Sequence, residues 1–115
     1  KSDDMLEKAF AQKADVAFDR ALKIDPEDWT ARFTKANSYS HWPAITGKPA
    51  RAVKHFHTLI EQQEASGRRD PKFAQTYVLL GNMLNQQGKA DEARAMWERG
   101  RRVFPDNAGL RDALK

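Results

Sequence analysis

At 115 residues, with 40% hydrophobic and 31% charged side chains, the chain has the size and composition of one packed domain and is too short for two independent cores. The absence of cysteine excludes disulfide staples and thiolate zinc sites and leaves the redox compartment open. The net charge of +4 sits entirely in the second half: residues 1–64 balance ten basic against ten acidic side chains, whereas residues 65–115 set ten against six. This is an arginine excess on solvated helix faces rather than the dense, aromatic-interleaved stripe of a nucleic-acid binder. No apolar run reaches the ~18 residues of a membrane span, and no basic-then-apolar leader is visible, so the expectation is a soluble chain, cytoplasmic or periplasmic. The sequence starts at Lys1 rather than Met and reads as a fragment of a longer chain. Its Ala/Arg-rich composition has a bacterial look.

Apolar residues recur at helical spacing almost throughout, and no stretch alternates with period two. The first predicted helix covers 3–24, with Ser2 or Asp3 as its cap and Asp25-Pro26 as its stop. It carries Met5, Leu6, Phe10, Val16, Phe18 and Leu22, more apolar side chains than one neighbouring helix covers, so residues 5–22 are expected to self-associate or to pack against a preceding segment. The second helix spans 28–41 behind Asp28. A loop from His41-Trp42-Pro43 to Gly47-Lys48-Pro49 follows, in which Trp42 and Ile45 are expected to tuck under the chain as a satellite cluster; the competing reading makes Trp42 a partner contact.

The third helix covers 50–66 and ends at Ser66-Gly67. The fourth runs over 71–87, with Asp70 as cap and Pro71 at its first position. Gly88 then stands where a C-cap takes a positive φ. The fifth helix spans 90–103, and Phe104-Pro105-Asp106-Asn107 separates it from a short sixth, 107–114, which offers Leu110 and Leu114 as an end cap. Short connections make neighbours antiparallel, so the fold class is all-α, about six helices paired as hairpins in a single domain over 1–115.

No catalytic constellation survives inspection. His55 and His57 lie two apart on a helix, roughly 200° around the axis, so they do not grip one ion together, and His41 has no acidic partner at matching spacing. Gly47-Lys48-Pro49 lacks the strand and second glycine of a phosphate loop. Ser38, Ser40 and His41 have no orienting carboxylate or oxyanion donor. The chain is therefore not expected to be an enzyme, and neither a metal nor another cofactor is implied.

Three segments end alike: Ala14-x3-Phe18-x2-Ala21, Ala52-x3-Phe56-x2-Leu59 and Ala93-x3-Trp97-x2-Gly100. A small residue lets two helices approach, and the aromatic one turn later fills the space beside it. Pro26 and Pro105 then close the first and third segments. These residues resemble the tetratricopeptide repeat, a helix–turn–helix unit of about 34 residues. The best copy runs from Ala74 to Asn107, with Tyr77, Leu80, Gly81, Leu84, Gly88, Ala93, Trp97, Gly100 and Pro105 on the signature spacing. The first copy supplies only its second-helix half, 11–26. The middle copy matches at Ala36, Tyr39, Ala52 and Phe56 but places Lys35 where the family prefers Leu. Pro26 and Pro105 are 79 residues apart, two 34-residue periods and 11 more, which the loops at His41–Pro49 and Glu64–Pro71 absorb as four and seven. The resemblance covers 11–107, two full repeats and a partial one.

What the resemblance implies is a right-handed solenoid whose first helices line a concave groove for a peptide or partner segment. On this register the groove takes Thr30, Phe33, Asn37, Ser40 and His41 from one hairpin, and Gln75, Val78, Asn82, Asn85 and Gln86 from the next. Asn37 and Asn82 are equivalent, and an amide both donates to and accepts from an extended backbone. The subgroup that grips chaperone C-termini places Lys and Arg inward; Thr30, Phe33, Thr34, Gln75 and Leu79 stand there instead, which points to a neutral or apolar ligand. The expected function is a protein–protein scaffold module. The alternative is a nucleic-acid-associated repeat using Arg94, Arg99, Arg101 and Arg102, and a steep salt dependence would distinguish it.

Overall fold

Side-chain caps mark some of the helix starts, and apolar spacing fixes which face turns inward. The computed structural model describes the backbone of residues 2–115 and the side chains of residues 13–115. It is all-helical, with α1 Ser2–Ile24, α2 Trp29–Ser40, α3 Lys48–Ser66, α4 Ala74–Gln86, α5 Ala90–Val103 and α6 Ala108–Ala113, and no strand among the described residues. Single 3₁₀ turns at Ala44–Thr46 and Pro71–Phe73 lead into α3 and α4. Met5, Leu6 and Phe10 of the expected self-association surface lie outside the described side chains. Of its described members, Phe18 and Leu22 are half-buried, and Val16 is 59% exposed.

The caps expected at Asp28 and Asp70 form, and Asn107, which the sequence did not single out, adds a third. Asp28 accepts from the amide of Ala31 at 3.0 Å, Asp70 from that of Lys72 at 3.2 Å, and Asn107 from that of Leu110 at 3.0 Å. Each satisfies a donor that the first turn leaves orphaned. Gly88 takes φ +80°, the left-handed conformation that its position after α4 requires. Asp70 and Pro71 open a 3₁₀ turn and not α4 itself, whose first residue is Ala74.

The tightest packing joins α2 to α3 and α4 to α5. Both pairs are antiparallel. Trp29 at the start of α2 meets Gln63 near the end of α3, while Tyr39 near the end of α2 faces His55. In the second pair a close approach is built from glycine: a methyl placed on Gly81 overlaps the Trp97 indole, and one on Gly100 falls 2.6 Å from Tyr77 Cβ. The core runs through both pairs, with Ala36, Ala52, Phe56, Leu59, Ile60, Tyr77, Leu80, Ala93 and Leu110 all buried. Leu110 makes α6 the cover over the far side of α4, as its apolar spacing predicts.

Lys35, which stands where the expected repeat spacing would take leucine, has partners in the structure. Lys35 is only 4% exposed. Its ammonium pairs with Asp19 and lies 3.8 Å from Asp15, both on α1, and Tyr39 donates to Asp15 at 2.6 Å. A buried cation is tolerated only with such partners. The lysine is therefore the polar anchor that ties α1 to α2.

Candidate functional site

α2 and α4 are held by a shared polar contact. The Gln63 side chain, projecting from α3, accepts from Trp29 Nε1 at 2.7 Å and from Thr76 Oγ1 at 2.8 Å, and its amide nitrogen donates to the Phe73 carbonyl at 3.3 Å. Trp29 stacks on Phe33 with centroids 4.6 Å apart and approaches Phe73 at 5.7 Å. This buried network ties the start of α2 to the start of α4. Sequence reasoning missed Gln63, because a glutamine in an amphipathic helix reads as solvated surface.

On α4, Gln75, Asn82, Asn85 and Gln86 are exposed and Val78 is half-buried. On α2, Thr30 is exposed, Asn37 and Ser40 are half-buried, and His41, just past the helix end, is exposed. None of the amides of Asn37, Gln75, Asn82, Asn85 and Gln86 has a side-chain hydrogen-bond partner among the described residues. Phe33 is partly spent elsewhere: beyond its stack on Trp29 it meets Phe56 edge-on at 5.9 Å, so it braces the α2–α3 pair. Beside α4, Val78, Leu79, Gln75, Asn107 and Gly109 line a hollow of about 250 Å³, apolar at its floor and amide-rimmed.

The 41–47 loop corrects one expectation. Trp42 is half-buried beneath Lys48, whose ammonium lies 4.1 Å from its ring and 4.7 Å from that of Tyr39. Ile45, however, is 96% exposed and joins no cluster. The loop closes on itself through Thr46 and Gly47 amides donating to Pro43 and Ala44 carbonyls, and this one-turn 3₁₀ geometry aims Ile45 outward.

His55 and His57 diverge as their spacing requires. His55 is half-buried and 3.0 Å from Arg32 Nη1, and burial, reinforced by Lys35, Arg32 and Arg51, pushes its pKa down to about 4. It is therefore a neutral acceptor for the guanidinium. His57 is exposed. Among the described residues no three His, Asp or Glu side chains gather as a metal site would need, and no helix is long and apolar enough to cross a membrane.

The four arginines of the nucleic-acid alternative are not equivalent. Arg99 grips Glu64 with two bonds of 2.8 and 2.5 Å, and Arg94 pairs with Glu98 at 3.3 Å. Arg101 and Arg102 are exposed without an acidic partner within 4 Å among the described residues. No protein-family model matches the chain, and no curated protein matches it.

Proposed function

We propose that the chain is a helical-repeat binding module of tetratricopeptide type, holding an extended segment of another protein along the exposed faces of α2 and α4 rather than catalysing a reaction. The observation that carries this reading is the row of unpartnered amides on those faces, Asn37 from α2 and Gln75 and Asn82 from α4. An amide with both its donors and its acceptor free suits a peptide backbone, which offers the same two groups at regular spacing. Two contacts support the repeat assignment: Gly81 against Trp97 and Gly100 against Tyr77 pair small and aromatic residues at the spacing the repeat signature gives them. The surface is neutral, so it suits an uncharged or apolar segment.

Selection of peptides from a random library, followed by titration of the winners against Asn37→Ala/Asn82→Ala, tests the proposal. Losing hydrogen bonds at both positions weakens binding about tenfold, while the melting temperature stays near wild type because Asn82 is exposed and half-buried Asn37 has no side-chain hydrogen-bond partner among the described residues. Peptides that bind both proteins equally would remove this face from consideration.

A further inference from the structure

A second surface lies away from the amide-bearing faces, at the edge where α3 ends and α5 ends. There a hollow of about 200 Å³ opens over Phe73, Tyr77, Val103 and Phe104, with Arg68 and Arg69 on its rim. It continues past Gln63, Arg68 and Phe73 into a second hollow of about 170 Å³ beside Trp29, whose lining also holds Glu27. Together they form a trough across the end of α3.

The charge of the larger hollow is one-sided. Among the described residues Glu64 is the only carboxylate in its lining, and it is already satisfied: Arg99 forks onto both oxygens, and Tyr77 donates to it at 2.9 Å. Arg99, Tyr77 and, more weakly, Arg102 hold the Glu64 carboxyl below the usual range, so it stays ionised and occupied. Arg68 has only a 3.9 Å contact with Asp70. Arg69 and Arg102 are exposed with no acidic partner within 4 Å among the described residues, and Arg102 is close enough to Glu64 to act on its charge. The helix macrodipole accounts for Arg101 and Arg102 in the last turn of α5. Arg68 and Arg69 follow Gly67 at the C-terminal end of α3, where the same dipole favours cations, and the only carboxylate contact of either among the described residues is that of Arg68 to Asp70.

We propose that this trough docks an acidic segment of a partner protein, with carboxylates on Arg68 and Arg69 of its lining and on Arg102 beside it in the last turn of α5, and one bulky apolar side chain in the hollow against Val103 and Phe104. A guanidinium presents paired donors that match a carboxylate, and an apolar anchor beside it adds the desolvated contact that gives such pairs their strength. Nucleic acid fits less well. Three arginines, of which Arg68 already meets Asp70, neutralise few phosphates, and of the aromatics lining the larger hollow only Phe104 is more than marginally exposed, where single-strand binders stack successive bases on several rings. The proposal uses a different surface from the α2/α4 face and stands or falls separately from it.

The test is fluorescence anisotropy with the full chain and a labelled, Asp/Glu-rich synthetic peptide carrying one central Phe. The controls are its Asn/Gln counterpart, its Phe→Gly counterpart and an oligothymidylate of similar length. The acidic peptide is expected to bind, to weaken about tenfold against Arg69→Glu/Arg102→Glu, and to weaken by a similar factor when the Phe is removed. Both arginines are exposed, so the variant melts as wild type does; Arg69→Gln/Arg102→Gln is the milder version should the charge reversal perturb folding. Equal binding to wild type and variant, no binding of the acidic peptide, or tighter and steeply salt-dependent binding of oligothymidylate would each overturn the proposal.

Discussion

The two helix pairs of this chain solve the same packing problem by different means. α4 and α5 close by shape: Gly81 and Gly100 remove side chains where Trp97 and Tyr77 press in, and the Trp97 indole N–H finds the Val78 carbonyl at 3.3 Å. α2 and α3 pack through Ala36, Ala52 and Phe56, but the outer side of α2 is fixed to α1 by charge, through Lys35, Asp15, Asp19 and Tyr39. Shape-based packing tolerates almost no added volume. Charge-based packing tolerates volume changes but fails where a buried charge is left without its counter-charge.

The largest expected effect therefore falls in the second pair. Trp97→Ala removes the ring that Gly81 was shaped to receive and lowers stability by about 3 kcal/mol, within the range for truncating a core aromatic. Gly100→Ala adds only a methyl, yet that methyl falls 2.6 Å from Tyr77 Cβ and 3.1 Å from Leu110, so a loss of about 1–3 kcal/mol is expected. Trp29→Ala in the first pair costs less than Trp97→Ala, because Gln63 Oε1 keeps Thr76 as a donor after the indole is gone. Thermal or urea unfolding of the three variants gives the order, and a Gly100→Ala protein as stable as wild type would refute the close approach of α4 and α5.

The polar anchor is broken from its acidic side. Asp15→Ala/Asp19→Ala leaves the buried Lys35 ammonium and the Tyr39 hydroxyl without acceptors, for an expected loss of about 2–4 kcal/mol. The signature should be local, with amide exchange rising first in α1 and the α4–α5 pair retaining its protection.

Acid should reach the first pair through His55. Its folded pKa of about 4 lies below the ~6.5 of an unfolded histidine. Above pH ~6.5 both states are neutral and the contribution is complete; between 6.5 and 4 the unfolded chain takes a proton that the native one refuses, so stability falls. With His55 half-buried and its neighbours partly solvated, the loss is about 1–2 kcal/mol across that window. Glu64, also depressed, acts in the same direction: its contribution is present above the unfolded carboxylate value and is lost as pH falls through the folded one. Melting curves of His55→Gln should flatten between pH 6.5 and 4, and curves that parallel the wild type would assign the acid sensitivity elsewhere.

How much of this was legible in the sequence follows the same division. Asp28, Asp70 and Gly88 act within one turn of themselves, so those helix ends could be read from local chemistry. Trp97 and Gly100 could be read because a small residue beside an aromatic one turn along a helix marks a close approach of two helices, whereas Gly81 entered only through the repeat resemblance. The Gln63 network and the Glu64–Arg99 pair could not. Their partners lie up to 35 residues away, and nothing local distinguishes a buried glutamine from a solvated one. The placement of Asn37 and Asn82 rested on the register that the repeat resemblance implies, and that register says nothing of what those amides bind.

Lys35 carries the smallest expected effect and the sharpest test of the comparison. As a buried cation where the expected repeat spacing would take leucine, it invites the inference that its charge is indispensable. The geometry argues otherwise. Its carboxylate partners are the solvated half of the cluster: the Asp19 side chain is 61% exposed and that of Asp15 27%. In Lys35→Met the aspartates recover water rather than being stranded, the chain volume is nearly kept, and Tyr39 still donates to Asp15. The remaining penalty is the unscreened repulsion of two aspartates four residues apart on α1, about a few tenths of a kcal/mol. The expected change is therefore within about 1 kcal/mol, against the larger loss on removing the acids. A Lys35→Met protein as unstable as Asp15→Ala/Asp19→Ala would mean that the cluster is a tightly coupled ion network, and that the first pair is as intolerant of substitution as the second.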